Sequence, residues 1–275
     1  MKWNSLRFWL CLVLVGIVIF SGYQIVTILL DYQAGEDTYE DLQQYVHVVA
    51  PAKPTEETVP AEETVPAADQ TDETQEADVT DPTVAETEDI GIQVDFDALQ
   101  EINPDVVGWI YLEDSKVNFP VVQGEDNQEY LYWLINGDYN SAGTPFVDYR
   151  NARDFSDRNT VIYGHNMNNG AMFADIHKYE DQQYYDAHPV IWLLTPEQNY
   201  RMEVFAGYKT GPDSNAWQLT FDSDDEYMDW IENARDQSLF ESFVIPTAGD
   251  RVVTLSTCSD SANQIWFILL GVIRS

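Results

Sequence analysis

Basic residues are scarce in this sequence, which has 13 lysines and arginines against 48 aspartates and glutamates and a formal net charge of -35. No basic patch with interleaved aromatic residues stands out, so binding to nucleic acid is not expected. Much of the charge is local, because Lys53 is the only lysine or arginine between Asp31 and Asp97. The net charge therefore reflects this acidic segment more than the folded domain.

Cysteine is nearly absent, with only Cys11 and Cys258 in 275 residues. Cys11 lies inside an apolar N-terminal run, so a disulfide between the two is not expected. A lone cysteine in an exported domain is a candidate reactive thiol, because proteins of such compartments usually pair their cysteines. The alternative is that Cys258 is a small buried hydrophobic side chain, as free cysteines often are.

The N-terminal segment from Phe8 to Leu30 is almost wholly apolar and reaches the ~20 residues that a membrane-spanning helix needs. No small-residue cleavage site follows it, which favours an anchor over a cleaved signal peptide. Lys2 and Arg7 precede it and acidic residues follow. The positive-inside rule then places residues 1–7 in the cytoplasm and the rest of the chain outside the cell membrane.

Residues 31–91 are predicted to be an extracellular, disordered acidic spacer, with a helical continuation of the membrane segment over Tyr32 to Val49 as the alternative for its first part. This segment is rich in proline, threonine and glutamate and contains the tandem repeat Glu56–Ala61 and Glu62–Ala67. Like charges and prolines keep such a chain extended and leave it without a core. From residue 92 to residue 275 the composition becomes globular, and one domain is expected there.

Short apolar runs between turn signals dominate residues 92–275, which predicts a mostly β fold, either a barrel or a sandwich. The helical spacing of Tyr227, Trp230, Ile231 and Ala234 predicts a helix from Ser223 to Leu239 that begins with a capping box. Strands are predicted over the following segments: Val106–Leu112, Val117–Gln123, Thr144–Tyr149, Thr160–Tyr163, Val190–Leu194, Tyr200–Thr210, Val252–Thr257 and Ile265–Ile273.

Two predicted strands end on residues that carry chemistry. The run Arg251–Cys258 ends on the cysteine, and the apolar run Val161–Gly164 leads directly into His165. A thiol and an imidazole at the mouth of a β scaffold form a plausible nucleophile and acid/base pair, because an imidazole favours the thiolate and can protonate a leaving amine. The other histidines, His47, His177 and His188, lie in settings that do not suggest catalysis.

Motifs around these residues give the chain a resemblance to a known family. The segments Tyr163–Met167 and Thr254–Cys258, with the upstream blocks Asn103–Ile110, Phe119–Gln123 and Gly143–Asp148, resemble class B sortases in sequence and order. Sortases are cysteine transpeptidases of Gram-positive cell surfaces. The similarity runs from about residue 92 to the end, and the anchor and spacer fit it independently.

The resemblance implies an eight-stranded β-barrel with peripheral helices, in which His165 and Cys258 are the catalytic pair. Cys258 would attack the threonine carbonyl of an NPxT-like C-terminal sorting motif in a secreted protein and form a thioacyl enzyme. His165 would pass protons to the leaving amine and from the incoming one, which belongs to a peptidoglycan precursor or a pilin lysine. Ser256 and Thr257 would lie beside the substrate, and no metal or cofactor is implied.

The sequence departs from this family at Trp266, where the class pattern has an arginine that donates hydrogen bonds to the substrate carbonyl. Tryptophan offers a single N–H and no charge. Gln264, Asn263 or a loop amide would have to supply the donor, unless Arg274 or Arg251 reaches the site. Neither arginine is expected to do so, because Arg274 lies far along the last strand and Arg251 at the opposite end of its own strand. The remaining alternative is a degenerate sortase that binds sorting signals without turning them over.

Three function classes follow from these residues. The main one is a membrane-anchored transpeptidase that attaches proteins to the cell wall or polymerises pilins. The second is a non-catalytic surface binding module, which Trp266 favours. A papain-like protease is a poorer third, because in that family the cysteine precedes the histidine in sequence.

Five aromatic residues would line a peptide groove or pack in the core: Tyr132, Trp133, Tyr184, Tyr185 and Trp217.

Overall fold

The structure is a computed structural model that describes residues 3–48, 91–260 and 264–274. The Pro/Thr/Glu-rich repeats on which the spacer prediction rests lie outside the described residues. Of the described residues, 3–45, 94–260 and 264–274 belong to one compact unit, and 46–48 and 91–93 belong to another. The short strands β1 (Val46–Val48) and β2 (Ile92–Val94) form a two-stranded sheet.

Eight further strands close into a barrel, in the spatial order β10, β8, β7, β3, β4, β5, β6, β9. The predicted eight-stranded barrel is therefore confirmed. All pairs are antiparallel except β4 with β5 and β6 with β9. The strands are β3 (Val106–Tyr111), β4 (Asn118–Val122), β5 (Phe146–Val147), β6 (Asn159–Gly164), β7 (Val190–Leu194), β8 (Asn199–Thr210), β9 (Arg251–Asp260) and β10 (Ile265–Arg274).

The barrel strands are almost completely buried, which explains why they appear in the sequence as β-branched and aliphatic runs with little alternation. Val252, Val253 and Leu255 of β9 and Phe267 to Leu270 of β10 have relative exposures of 0%. Their apolar side chains fill both faces, because the barrel interior lies on one side and helices cover the other.

Helix α4 (Asp224–Gln237) covers one outer face of the barrel, as its helical periodicity predicts. Tyr227, Trp230, Ile231 and Ala234 are buried against side chains of β8, β9 and β10. Ser223 caps the helix by accepting a hydrogen bond from the Glu226 amide at 3.1 Å. The Glu226 carboxylate bonds the Asp222 amide and not that of Ser223, so only half of the predicted capping box forms.

Helix α1 (Trp3–Leu42) contains the predicted membrane-spanning segment and continues beyond it. By length and composition it can cross a membrane, since an 18-residue window within it has a mean hydropathy of 2.3, and its apolar side chains from Phe8 to Leu30 are mostly exposed. Residues up to Tyr45 belong to the same compact unit as the barrel. The segment 31–45, assigned to the spacer by composition, is thus structured and packed. Two shorter helices complete the fold, α2 (Phe96–Ile102) and α3 (Gln182–Ala187).

Candidate active site

Strand pairing brings His165 and Cys258 to the same end of the barrel. Strands β6 and β9 run parallel, and Gly164 pairs with Thr257 at the last step of their register. His165 and Cys258 are the next residue of each chain, on backbones that lie about 4.8 Å apart in a sheet. The structure therefore brings together the two residues that the sequence predicts as the catalytic pair.

The sequence context of Cys258 predicts that it is the last residue of its strand, but the strand continues beyond it. Strand β9 continues to Asp260, which pairs with Ile265 of β10, and Cys258 itself pairs with Trp266. The register shifts between these two pairs. The prediction of a loop directly after the cysteine is wrong, because the antiparallel partner extends the ladder into the polar residues.

The imidazole of His165 is held by a backbone carbonyl. Its Nε2 lies 2.8 Å from the Leu131 oxygen, and Tyr132 lies beside the ring at 5.9 Å between centroids. A carbonyl oxygen only accepts hydrogen bonds, so Nε2 carries a proton and donates it. Nδ1 is then the nitrogen that is left to exchange protons with a reacting group.

The turn after His165 is fixed on both sides. The Phe173 amide donates to the His165 carbonyl at 2.9 Å, and Asn166 forms a bridge with Met172. Gly164 lies under the Phe173 ring, so closely that a Cβ there would come within 2.6 Å of it. A side chain at residue 164 would displace Phe173 and the turn that carries His165.

A small cavity of about 90 Å³ lies beside His165. Ser256 and Trp266 line it, and so does the Leu131 segment that holds the histidine. Thr257 and Gln264 do not line this cavity. The Thr257 side chain is buried, and its hydroxyl has no hydrogen-bond partner among the described residues. Gln264 is exposed at the turn before β10. Asn263 lies outside the described residues.

Trp266 lines this cavity and Trp217 packs behind it, and we call these two side chains the aromatic wall. The Trp266 ring meets Trp217 edge to face at 5.6 Å, and both pack against the cluster under α4. The Trp217 indole donates to the Ser256 hydroxyl oxygen at 2.9 Å. Because an indole N–H can only donate, the Ser256 proton is left free to donate to another group.

Neither of the two arginines considered as substitutes reaches this end of the barrel. Arg251 lies seven residues before Cys258, about 23 Å along the strand. It bonds the Phe155 carbonyl and stacks on Tyr200. Arg274 pairs with Asp250 and Glu203 at the same distant end. The sequence prediction that both point away from the site is confirmed.

The aromatic residues proposed for a groove separate into two groups. Tyr132 and Trp133 are partly exposed; Tyr132 stacks with Tyr139 near His165, and Trp133 meets Tyr139 edge to face, while Trp217 belongs to the wall. Tyr184 and Tyr185 instead pack with His188 and Phe240, away from the cavity. Core packing is the observed role of the second group.

Sequence reasoning missed the Leu131 carbonyl and the hydrogen bond from Trp217 to Ser256. A backbone oxygen carries no residue-type signal, so nothing in the sequence marks it. Trp217 appears in the sequence only as one of several aromatic residues, and its partner lies 39 residues away. The tertiary fold alone brings these groups to the histidine and the serine.

Residues 110–266 match the model of the sortase domain. The chain belongs to the sortase family, in its class B. It is 39% identical over 160 residues to sortase B of Listeria monocytogenes, a match that covers 58% of this chain and 65% of that protein. A second relative, sortase B of Staphylococcus aureus, is 33% identical over 173 residues, which cover 63% of this chain and 71% of that one.

Solved structures agree with this class B sortase assignment. The Staphylococcus aureus sortase B–substrate complex superposes with a TM-score of 0.63 at 32% identity, covering 66% of this chain and 84% of that one. Sortase B from Bacillus anthracis in complex with AAEK1 gives a TM-score of 0.67 at 30% identity, covering 90% of this chain and 100% of that one. The predicted family and fold are both confirmed.

Proposed function

We propose that this class B sortase is a membrane-anchored cysteine transpeptidase that joins secreted proteins to an amine of a cell-wall precursor. One observation carries the proposal: Gly164 pairs with Thr257, so His165 and Cys258 follow side by side, and the Leu131 carbonyl fixes Nε2 of the histidine. A nucleophile next to an oriented acid/base group is the arrangement that covalent acyl transfer requires.

In the first step, the Cys258 thiolate, paired with the imidazolium of His165, attacks the threonine carbonyl of an NPxT-like C-terminal sorting motif. The carbonyl becomes a tetrahedral oxyanion and then a thioacyl group as the peptide bond after threonine breaks. His165, protonated at Nδ1, gives this proton to the departing amine. Its Nε2–H stays bonded to Leu131 throughout, so the ring does not have to rotate between proton transfers.

In the second step, an amine of the acceptor attacks the thioacyl carbon. His165 takes a proton from this amine through Nδ1, and the sulfur leaves as the thiolate. The products are a new amide bond and the original enzyme. A peptidoglycan precursor is the proposed acceptor, and a pilin lysine is the alternative within the same chemistry.

The oxyanion of both steps needs a hydrogen-bond donor, which Trp266 does not supply in the way an arginine would. We propose that Ser256 is this donor. It lines the cavity beside His165, it is 2% exposed, and its proton is free because Trp217 donates to its oxygen. A donor that is already oriented before reaction costs no reorganisation in the transition state.

The chain arrangement proposed for this activity places residues 1–7 in the cytoplasm and 8–30 in the membrane. The catalytic domain, residues 92–275, would then lie outside the cell. A surface module that binds sorting signals without cleaving them is the second candidate function. Trp266 favours it, because the substitution removes a cationic donor from the site.

Mass spectrometry of the full chain in detergent micelles tests the proposal. The protein is incubated with NPxT-type peptides, first alone and then with triglycine as the amine acceptor. We expect a thioacyl adduct on Cys258 and an amide product after the acceptor is added. Cys258→Ala and His165→Ala should both abolish the product, and Cys258→Ala should also abolish the adduct.

Cys11→Ala is the matched control, because it removes the other thiol of the chain, which lies in the apolar helix. This variant should keep full adduct formation. Peptide binding without any adduct, in a protein whose Cys258 still reacts with a thiol reagent, would reject the transpeptidase and support the binding module.

A further inference from the structure

Residues 130–144 form a loop of the barrel, which we call the histidine loop because its Leu131 carbonyl bonds His165. The part of α1 that follows the apolar segment packs against this loop. Asn140 donates to the Asp31 carbonyl at 2.7 Å, and the Ser141 amide and hydroxyl both bond the Asp31 carboxylate. Gly35 is buried against Asn140, where a Cβ would come within 2.9 Å of the amide oxygen. One turn of the helix thus holds one end of the loop.

The next turn of α1 places Tyr39 on the same loop. Its ring meets Phe119 edge to face at 5.1 Å, and it is 5% exposed. The hydroxyl donates to the Gly143 carbonyl and lies 3.1 Å from the Thr144 hydroxyl. Burial raises the pKa of this phenol well above its ordinary value, although Thr144 lowers it in part, so the group keeps its proton and remains a donor.

Gly143 links the Tyr39 contact to the Leu131 carbonyl, which is the hydrogen-bond acceptor of His165. It has a φ of +58°, and a Cβ there would lie 2.5 Å from the Leu131 oxygen and 2.8 Å from the Leu131 carbonyl carbon. Only glycine permits both this backbone conformation and this approach. The Gly143 peptide group, whose carbonyl accepts a hydrogen bond from Tyr39, therefore lies directly against the Leu131 peptide group, whose carbonyl accepts one from His165.

The histidine loop has little regular structure of its own. It contains the end of a 3-10 helix (Glu129–Leu131) and an isolated bridge between Trp133 and Tyr139. Thr144 adds two hydrogen bonds across it, from its amide to Tyr130 and from its hydroxyl to Trp133. Because no continuous ladder orients the Leu131 carbonyl, its direction depends on these packed contacts.

We infer that Tyr39 is a positioning residue, through which the juxtamembrane turns of α1 orient the Leu131 carbonyl and thereby the reactive tautomer of His165. The inference rests on the proposed transpeptidase function for its kinetic consequence. Its structural consequence, the proton on Nε2 of His165, is independent of any substrate.

Tyr39→Phe in the full chain tests the inference, because it removes the hydroxyl and keeps the ring against Phe119. We expect kcat to fall about tenfold, since small misplacements of a catalytic group have effects of this order, while KM stays within about twofold. In ¹⁵N-histidine NMR spectra recorded at a pH at which the imidazole is neutral, with the His165 signal assigned from His165→Gln, the Nε2–H tautomer should lose population.

Thr38→Val is the matched control, since it removes a hydroxyl of the preceding residue that bonds only Ala34 of the same helix. It should leave kcat and the tautomer unchanged. Leu42→Ala tests stability alone, because Leu42 is also buried on α1. An equal loss of kcat in Leu42→Ala and Tyr39→Phe, at equal unfolding midpoints, would overturn the positioning role.

The tautomer spectrum separates this inference from the proposed function. A Tyr39-dependent tautomer in a protein that makes no product supports the positioning role and counts against the transpeptidase. An active protein whose Tyr39→Phe variant keeps both its kcat and its Nε2–H signal overturns the inference and leaves the transpeptidase intact.

Discussion

Trp266 is the residue at which this chain departs most from its class, and the structure shows its neighbours. It pairs with Cys258 across β9 and β10 and contacts Trp217 with its ring edge. A guanidinium at this position would offer several N–H donors, with a positive charge, where the tryptophan offers one. The consequence for catalysis depends on whether another group already fills the donor role.

The first prediction concerns this substitution. Trp266→Arg should raise kcat by no more than about tenfold, because Ser256 already fills the donor role and a second donor adds less than the roughly 10²–10³ in rate that one preorganised oxyanion donor is typically worth. Single-turnover formation of the thioacyl adduct measures the effect. A gain of about 100-fold or more, in a variant that folds normally, would show that Ser256 does not fill the donor role.

The second prediction concerns Ser256 as that donor. Ser256→Ala should lower kcat by about 10²-fold, since the oxyanion loses its proposed donor and the Trp217 indole loses its acceptor. Ser256→Thr retains a hydroxyl and should recover part of the rate. If the alanine variant keeps the wild-type rate of adduct formation, the donor lies elsewhere.

At the scale of the secondary-structure elements, α4 supports the site from outside the barrel. The cluster that it buries extends to Trp217 and Trp266, so the helix contacts the aromatic wall of the cavity. Its N-terminus depends on one side chain, because Ser223 accepts the Glu226 amide and three acidic residues follow in the first turn.

The third prediction is that Ser223→Ala lowers the free energy of unfolding by about 1 kcal/mol, the usual effect of losing a helix cap. Denaturant unfolding followed by tryptophan fluorescence measures it. Ser223→Asp keeps a capping oxygen and should retain most of the stability. Equal losses in the two variants would mean that the hydroxyl acts through something other than the cap.

At the scale of the whole molecule, two buried titratable groups make the folded state sensitive to acid. Burial alone would raise the pKa of the Asp148 carboxyl, but hydrogen bonds from Arg150 and Asn127 outweigh it and hold the pKa below its ordinary value. Burial lowers the pKa of the His177 imidazole, although Glu180 opposes this in part. Both groups take up protons more readily in the unfolded chain.

The fourth prediction follows from the sign of these shifts. Since the unfolded chain binds more protons, each contribution is present above the ordinary pKa and is lost as the pH falls below it. Stability should therefore decline below about pH 6.5 through His177 and again below about pH 4 through Asp148. Unfolding midpoints from pH 7 to pH 3 measure both steps.

His177→Gln and Asp148→Asn isolate these contributions from the rest of the molecule. Self-repulsion from the net charge of -35 weakens on acidification and acts in the opposite direction. The difference between wild type and variant removes this common effect. A difference for His177→Gln that stays constant between pH 7 and pH 5 would contradict the assignment of the first step.

Short-range patterns in the amino-acid sequence were enough to predict several elements of the fold and site. Aliphatic and β-branched runs predicted the barrel strands, the spacing from Tyr227 to Ala234 predicted α4, and two local motifs pointed to His165 and Cys258. These features depend on neighbouring residues, so they can be read before the chain folds. The end of β9 could not be predicted in this way, because pairing with Ile265 on the next strand extends β9 to Asp260.

The groups that orient the site come together only in the folded barrel. The acceptor of His165 lies 34 residues away in sequence, and Tyr39 lies 104 residues from the Gly143 carbonyl that it bonds. The sequence of Tyr32 to Val49 allowed a helix that continues out of the membrane, but nothing in it indicated that this helix packs on the barrel. Such contacts form only when the barrel closes and brings distant backbone atoms together, and no local pattern of residue types records that geometry.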